Sequence, residues 1–234
     1  MPELTWKSIA FLALILVLSV GGCSSDLSKA QLAFREGTDL LQQGHYESAI
    51  RAFDKAIQLN PTFSVAYYSR GYVYGELGQH ERAIQDYDQA ILLDPSHAEA
   101  YGNRGLAYAL LGQYDRAVQD FDKTIQLHPS YAATYGNRGY AYGQLGQHER
   151  AIEDFVKAIQ LDPGYVPAYN NRGSIYGKMR QYERAIQDYD KAIQLHPSYA
   201  AAYGNRGYAY GQLGQNAEAD ADKAKACSLD KQFC

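Results

Sequence analysis

The sequence predicts an all-α chain of stacked antiparallel helix pairs, and three observations carry that prediction. The chain matches itself at one spacing: Gly37, Gly71, Gly105, Gly139, Gly173 and Gly207 stand 34 residues apart, as do Ala49, Ala83, Ala117, Ala151, Ala185 and Ala219. Inside a unit, Tyr101, Gly105, Tyr108 and Leu111 recur at three-to-four spacing and share one helix face. Finally, 22 tyrosines stand against 7 phenylalanines and a single tryptophan, the bias expected when one tyrosine-bearing unit has been copied. With 234 residues, 46% hydrophobic and 21% charged, the chain can build a packed core, which excludes disorder. A net charge of -4 leaves no basic footprint and argues against a nucleic-acid partner. Three cysteines are too few for a disulfide-dense scaffold.

At the N-terminus, Lys7 precedes an uncharged apolar run over residues 9–20, which closes on Gly21, Gly22 and Cys23. The run is too short to span a bilayer and has the basic start, apolar stretch and small residues of a secretory signal. With a cysteine directly after the cut, the segment resembles a bacterial lipoprotein signal. The resemblance implies that residues 1–22 are removed and that Cys23 is lipidated, its acyl chains holding the protein to a membrane. An ordinary signal peptide with a cysteine at the cut is the alternative. Ser24 and Ser25, where an aspartate would retain such a protein, imply by the same resemblance an exported lipoprotein of the outer membrane facing the periplasm. Residues 23–29 read as the lipidated cysteine and a short linker.

Six units follow, over residues 30–63, 64–97, 98–131, 132–165, 166–199 and 200–233. In the second, Tyr67, Gly71, Tyr74, Ala83, Tyr87, Ala90 and Pro95 fall in a pattern that resembles the tetratricopeptide repeat (TPR) family. That resemblance implies a right-handed TPR superhelical solenoid of antiparallel helix pairs. In the third unit, the first helix covers residues 101–111 and Gly112 supplies its stop. A second helix over residues 114–127 turns Ala117, Phe121, Thr124 and Ile125 inward. Pro129 ends it, because the residue before proline is pushed out of the helical region, and Ser130 is expected to cap the next helix. The end units carry Ala33 and Leu40, or Asp220 and Lys223, where inner units are aromatic or aliphatic, as caps require. Cys227 and Cys234 flank the final turn; an oxidising compartment would bridge them, and two free thiols are the alternative.

Five units carry Arg70, Arg104, Arg138, Arg172 and Arg206 beside the helix-packing glycine, together with Asp86, Asp120, Asp154, Asp188 and Asp222 on the second helix. The first unit has Glu36 and Ala52 there and lacks both partners. Their joint absence implies partly buried ion pairs within each repeat. A basic stripe for an anionic ligand is the competing reading, disfavoured by the accompanying aspartates.

If the arginines and tyrosines face the core, the opposite face of each first helix is the candidate binding surface. It presents Asn103, Asn137, Asn171 and Asn205, with Tyr72, Tyr140, Tyr208, Gln144 and Gln212. A row of amides, each both donor and acceptor, suits the backbone of an extended peptide. A similar asparagine ladder lines the peptide groove of the O-GlcNAc transferase TPR domain. Glycines on this face, among them Gly136, Gly143 and Gly204, are expected to keep the groove roomy. Alternatively the asparagines serve neighbouring helices and the glycines make room for tyrosines. The family's carboxylate clamp needs lysines where Phe34, Ala133 and Ala201 stand, so a terminal carboxylate is not the expected ligand.

Enzymatic readings find no support. Asp86 with Asp88, two apart on a helix, point to different sides. The histidines stand singly at turns, without metal-ligand spacing, and no cofactor or metal is expected. The sequence therefore points to a lipid-anchored scaffold that binds extended segments of protein partners, in assembly of an envelope complex. The alternative is a glycan-binding groove, in which tyrosine faces stack on sugars and amides read hydroxyls.

Overall fold

The computed structural model describes residues 25–234, so Cys23 and the leader lie outside it. The described residues form twelve α-helices and no strand. The chain divides after Leu127 into two compact units. The first contains α1 (Ser25–Gln42), α2 (Tyr46–Leu59), α3 (Ser64–Glu76), α4 (His80–Leu93), α5 (Ala98–Leu110) and α6 (Tyr114–Leu127). The second contains α7 (Ala132–Gln144), α8 (His148–Leu161), α9 (Val166–Lys178), α10 (Tyr182–Leu195), α11 (Ala200–Gln212) and α12 (Asn216–Leu229), then a 3-10 turn, Lys231–Phe233. Within each unit every odd helix packs on the even helix that follows it, and α2 packs on α3, α4 on α5, α8 on α9 and α10 on α11. Among the described residues, no helix is long and apolar enough to cross a membrane.

One expectation at the start of the chain is corrected. Residues 25–29 are no linker; they form the first turn of α1. Asp26 sits at the positive end of the helix dipole, Lys29 Nζ reaches its carboxylate at 3.2 Å, and Ala30 is fully buried. Ser130 does not cap α7 either: that helix starts after Tyr131, without a side-chain cap. The links between pairs are instead held from the preceding helix end. Asn60, Asp94 and Asp162 each accept, through Oδ1, the N–H two residues on, from Thr62 at 3.2 Å, Ser96 at 3.0 Å and Gly164 at 2.8 Å.

Within a pair the turn is a Schellman closure. Gln79 N–H donates to the Tyr74 carbonyl at 2.8 Å and Gly78 N–H to that of Gly75 at 2.9 Å. Gly44, Gly78, Gly112, Gly146 and Gly214 adopt the φ of 71 to 76° that the closure needs. In the fifth pair Arg180 takes that place at φ 59°, at a cost of about 1 kcal/mol.

Close approach of the two helices rests on a second set of glycines. A Cβ on Gly105 would stand 2.8 Å from the Phe121 ring, so only a glycine admits this ring at full depth. Phe53, Tyr87, Phe121 and Phe155 occupy equivalent places and are buried to within 1%. Each inner tyrosine at the end of a first helix is also covered by an arginine from the second. Arg82, Arg116, Arg150 and Arg184 stack on Tyr74, Tyr108, Tyr142 and Tyr176 with Cζ 3.9 to 4.1 Å from the ring centre.

The pairs are bolted by forked ion pairs. Nε and Nη2 of Arg70, Arg104, Arg138, Arg172 and Arg206 hold the two oxygens of Asp86, Asp120, Asp154, Asp188 and Asp222 at 2.6 to 2.8 Å. The aspartates are buried. Burial opposes the Asp86 charge, and Arg70 offsets it with two charge-assisted hydrogen bonds. Those same bonds hold the Arg70 proton more firmly than in water. The remaining Nη1 does a second job. At Arg70, Arg104 and Arg206 it donates to Asp54, Asp88 and Asp190 of the preceding pair. Asp86 and Asp88 do face apart, because each serves a different arginine.

The far end is closed by covalent chemistry. Cys227 and Cys234 form a disulfide. It holds the final turn so that the Phe233 ring lies over Gly204, where a Cβ would meet it at 3.1 Å. Tyr165 covers Gly136 in the same way. Asp230 Oδ1 accepts from Gln232 N–H at 2.9 Å, the turn used between pairs. On α12, Asp220 and Lys223 are exposed, so the last helix turns a polar face outward.

Two outcomes follow from these contacts. Asp120→Asn leaves the half-buried Arg104 with Asp88 alone and lowers stability by about 2 kcal/mol; adding Arg104→Leu recovers most of it, both read from urea unfolding. The second concerns His97, which stacks on Tyr68 at 4.6 Å between ring centres and has a buried Nδ1 with no partner among the described residues. Burial lowers its pKa, against the pull of Glu99 and Asp94. The unfolded chain therefore takes up the proton first, and this contribution is complete above about pH 6.5 and lost as pH falls below it. His97→Tyr, the residue at the matching positions 131, 165 and 199, removes that loss, so the melting temperatures of variant and wild type diverge below pH 6.5.

Candidate binding face of the first helices

Because Arg, Tyr and Gly positions turn each odd-numbered helix toward its partner, the residue before each arginine lies on another face. There the four asparagines do not form a uniform ladder. Asn103 is only 2% exposed and donates through Nδ2 to the Tyr68 hydroxyl at 3.1 Å. Asn205 donates to Asn170 Oδ1 at 3.0 Å. Both partners stand 35 residues earlier, one repeat and one position back. Where that earlier position bears an oxygen, the amide donor is spent on the neighbouring helix.

For Asn171 the corresponding residue is Gly136, which has no side chain to offer. Asn171 Oδ1 accepts from Asn170 Nδ2 at 3.3 Å, and its own Nδ2 has no acceptor among the described residues. Asn137 makes no hydrogen bond there either, and both amides are half-buried. The second unit thus presents two amides with donors to spare, on α7 and α9. Half-buried Tyr140 and Ser174 follow each of them by three residues. Ser174 was not evident as a site residue from sequence, because the equivalent positions of flanking repeats are tyrosines.

The other expected groove residues divide. Tyr208 is 60% exposed on α11, and Gln144 is exposed at the end of α7. Gln212 accepts from the Tyr182 hydroxyl at 3.4 Å. Tyr72, in the first unit, is half-buried, and burial with the nearby Glu76 charge pushes its hydroxyl up to about 12. The glycines leave less room than expected. Cβ atoms on Gly136 and Gly143 would meet Tyr165 at 2.6 Å and Ile175 at 2.8 Å, so these glycines admit neighbouring side chains rather than keep a groove open. Tyr165, so enclosed, has its hydroxyl pushed up to about 12 by burial. Among the described residues no cluster of His, Cys, Asp or Glu is placed to hold a metal.

Comparison with known proteins places this arrangement. A crystal structure of MamA is 28% identical, covering 70% of this chain and 96% of that one, with a TM-score of 0.66. The MamA structure from Desulfovibrio magneticus RS-1 is 25% identical, covering 73% and 97%, with a TM-score of 0.69. PilF of Pseudomonas aeruginosa shares the fold at 20% identity, over 89% of this chain and 95% of that one, with a TM-score of 0.75. No curated protein matches the sequence. Profiles of the tetratricopeptide repeat match residues 37–78, 68–132, 132–165, 166–199 and 188–221. With twelve paired helices among the described residues and the 34-residue register of its glycines, alanines and aromatics, the chain belongs to the tetratricopeptide repeat proteins.

Proposed function

We propose that this protein is a membrane-anchored scaffold that holds an extended segment of a partner protein on the α7–α9–α11 face of its second unit. One observation carries the reading: Asn137 and Asn171 keep unspent amide donors on a half-buried face, where an unpaired polar group gains from a backbone carbonyl. Tyr140 and the exposed Tyr208 ring supply apolar area beside them. The anchor is the acylated Cys23, and α1, starting at Ser25, then leaves a single residue, Ser24, between the lipid and a rigid helix. The first repeat is held at the membrane surface, a geometry suited to assembling an envelope complex.

The exposed Tyr208 ring favours a second reading, a glycan stacked on the same face. One set of variants separates the two. Asn137→Ala with Asn171→Ala leaves stability within about 0.5 kcal/mol, whereas Asn103→Ala, which removes a buried amide and its hydrogen bond to the Tyr68 hydroxyl, costs about 1 kcal/mol. In crosslinking from intact membranes, the double variant loses the partner that wild type captures; retention of that partner removes this face from the interface. Saturable binding of envelope polysaccharide, abolished by Tyr208→Ala, would assign the face to sugar instead. For the anchor, radiolabelled palmitate is incorporated by wild type and not by Cys23→Ser, which is released from the membrane fraction.

A further inference from the structure

We propose that the junction between α8 and α9 is a binding site for a side-chain carboxylate from an acidic segment of a partner protein, with Arg172 as its receptor. The repeats themselves show what is missing. At Arg70, Arg104 and Arg206, Nη1 is met by an aspartate from the preceding pair: Asp54, Asp88 and Asp190. The matching position before Arg172 is Val156. Arg172 keeps its own fork on Asp188, at 2.8 and 2.6 Å, while its Nη1 makes no hydrogen bond among the described residues. Nη1 is not sealed in, since it is absent from the buried polar atoms that lack a partner, and the Arg172 side chain keeps 18% exposure.

Three further features say what fills the position. The Nε–Nη2 edge of the guanidinium is taken by Asp188, and Nη1 faces the place that one aspartate oxygen fills at 2.5 Å on Arg104 and Arg206. Half-buried Val156 lines the position with apolar surface, which strengthens a charge-assisted hydrogen bond there. The surrounding repeat also has the right sign: over residues 166–199, Arg172, Lys178, Arg180, Arg184 and Lys191 outnumber Glu183, Asp188 and Asp190. In the preceding repeat, acidic residues Glu149, Glu153, Asp154 and Asp162 outnumber Arg138, Arg150 and Lys157. Within an acidic chain this repeat is locally basic, and its field draws an acidic segment to it. Lys178 and Arg180 are departures from the repeat, standing where its neighbours have glutamine and glycine. The site is independent of the Asn137 and Asn171 face.

The test uses the purified protein at low ionic strength with a fluorescein-labelled, amidated hexapeptide of alternating glutamate and glycine, and with its glutamine counterpart. Wild type binds the glutamate peptide saturably and not the glutamine one. Val156→Asp, which supplies an internal carboxylate to Nη1, weakens binding at least tenfold and melts no lower than wild type. Val156→Asn, close in size but neutral, stays within twofold of wild-type affinity. Equal affinity in wild type and Val156→Asp, or no binding by wild type, overturns the proposal. Displacement of the peptide by inorganic phosphate at comparable concentration overturns the assignment to carboxylate.

Discussion

The fold turns on one guanidinium used twice. A leucine at the same place would pack the two helices of a repeat but say nothing to the next repeat. An arginine in a fixed fork geometry holds its own second helix with Nε and Nη2 and reaches the preceding repeat with Nη1. The registers within and between pairs are therefore set by the same side chain, at Arg70, Arg104 and Arg206. The charge is tolerable only because each aspartate is enclosed with its partner, and because Tyr67, Tyr101 and Tyr203 lie 5.5 to 5.7 Å beneath the cations. Specificity of stacking is what such a network adds; an apolar residue of equal volume would give comparable stability.

That use of the core side decides what the other faces can do. With arginines, tyrosines and glycines committed to packing, the odd-numbered helices turn their asparagines away from the pair, and whether an amide is available depends on a neighbour in the previous repeat. Tyr68 and Asn170 consume the donors of Asn103 and Asn205; Gly136 cannot consume that of Asn171. A chain of near-identical repeats thereby acquires a graded surface through exchanges at one position. The same logic separates the fifth repeat, where a valine for an aspartate leaves an arginine half-served.

Much of this is readable in the 34-residue spacing, because periodicity reports what every copy must do. The helix-packing glycines, the aromatic rings opposite them and the sixteen-residue separation of Arg70 from Asp86 all recur in register, and the first unit loses arginine and aspartate together. Asp88 also recurs, at 54, 122 and 190 though not at 156, yet beside Asp86 it says only that the two face apart. The destination of Asp88, an arginine in the next repeat, is a property of stacking that a single unit does not contain. Asn103 and Asn205 were misread for the same reason. Their partners lie 35 residues back rather than 34, so aligning the repeats places them in different columns. The helical start at Ser25 had no periodic counterpart at all and rests on Asp26, Lys29 and the burial of Ala30.

The final turn reuses a contact found inside the second unit. Phe233 stands 34 residues after Tyr199 and covers Gly204 as Tyr165 covers Gly136, so the final turn imitates the opening of a repeat. The disulfide from Cys227, which replaces the isoleucine found at 91, 125, 159 and 193, fastens that imitation in place with a covalent bond. A contact made between repeats in the interior of the second unit is thus reused at the final turn by a residue that belongs to no helix pair.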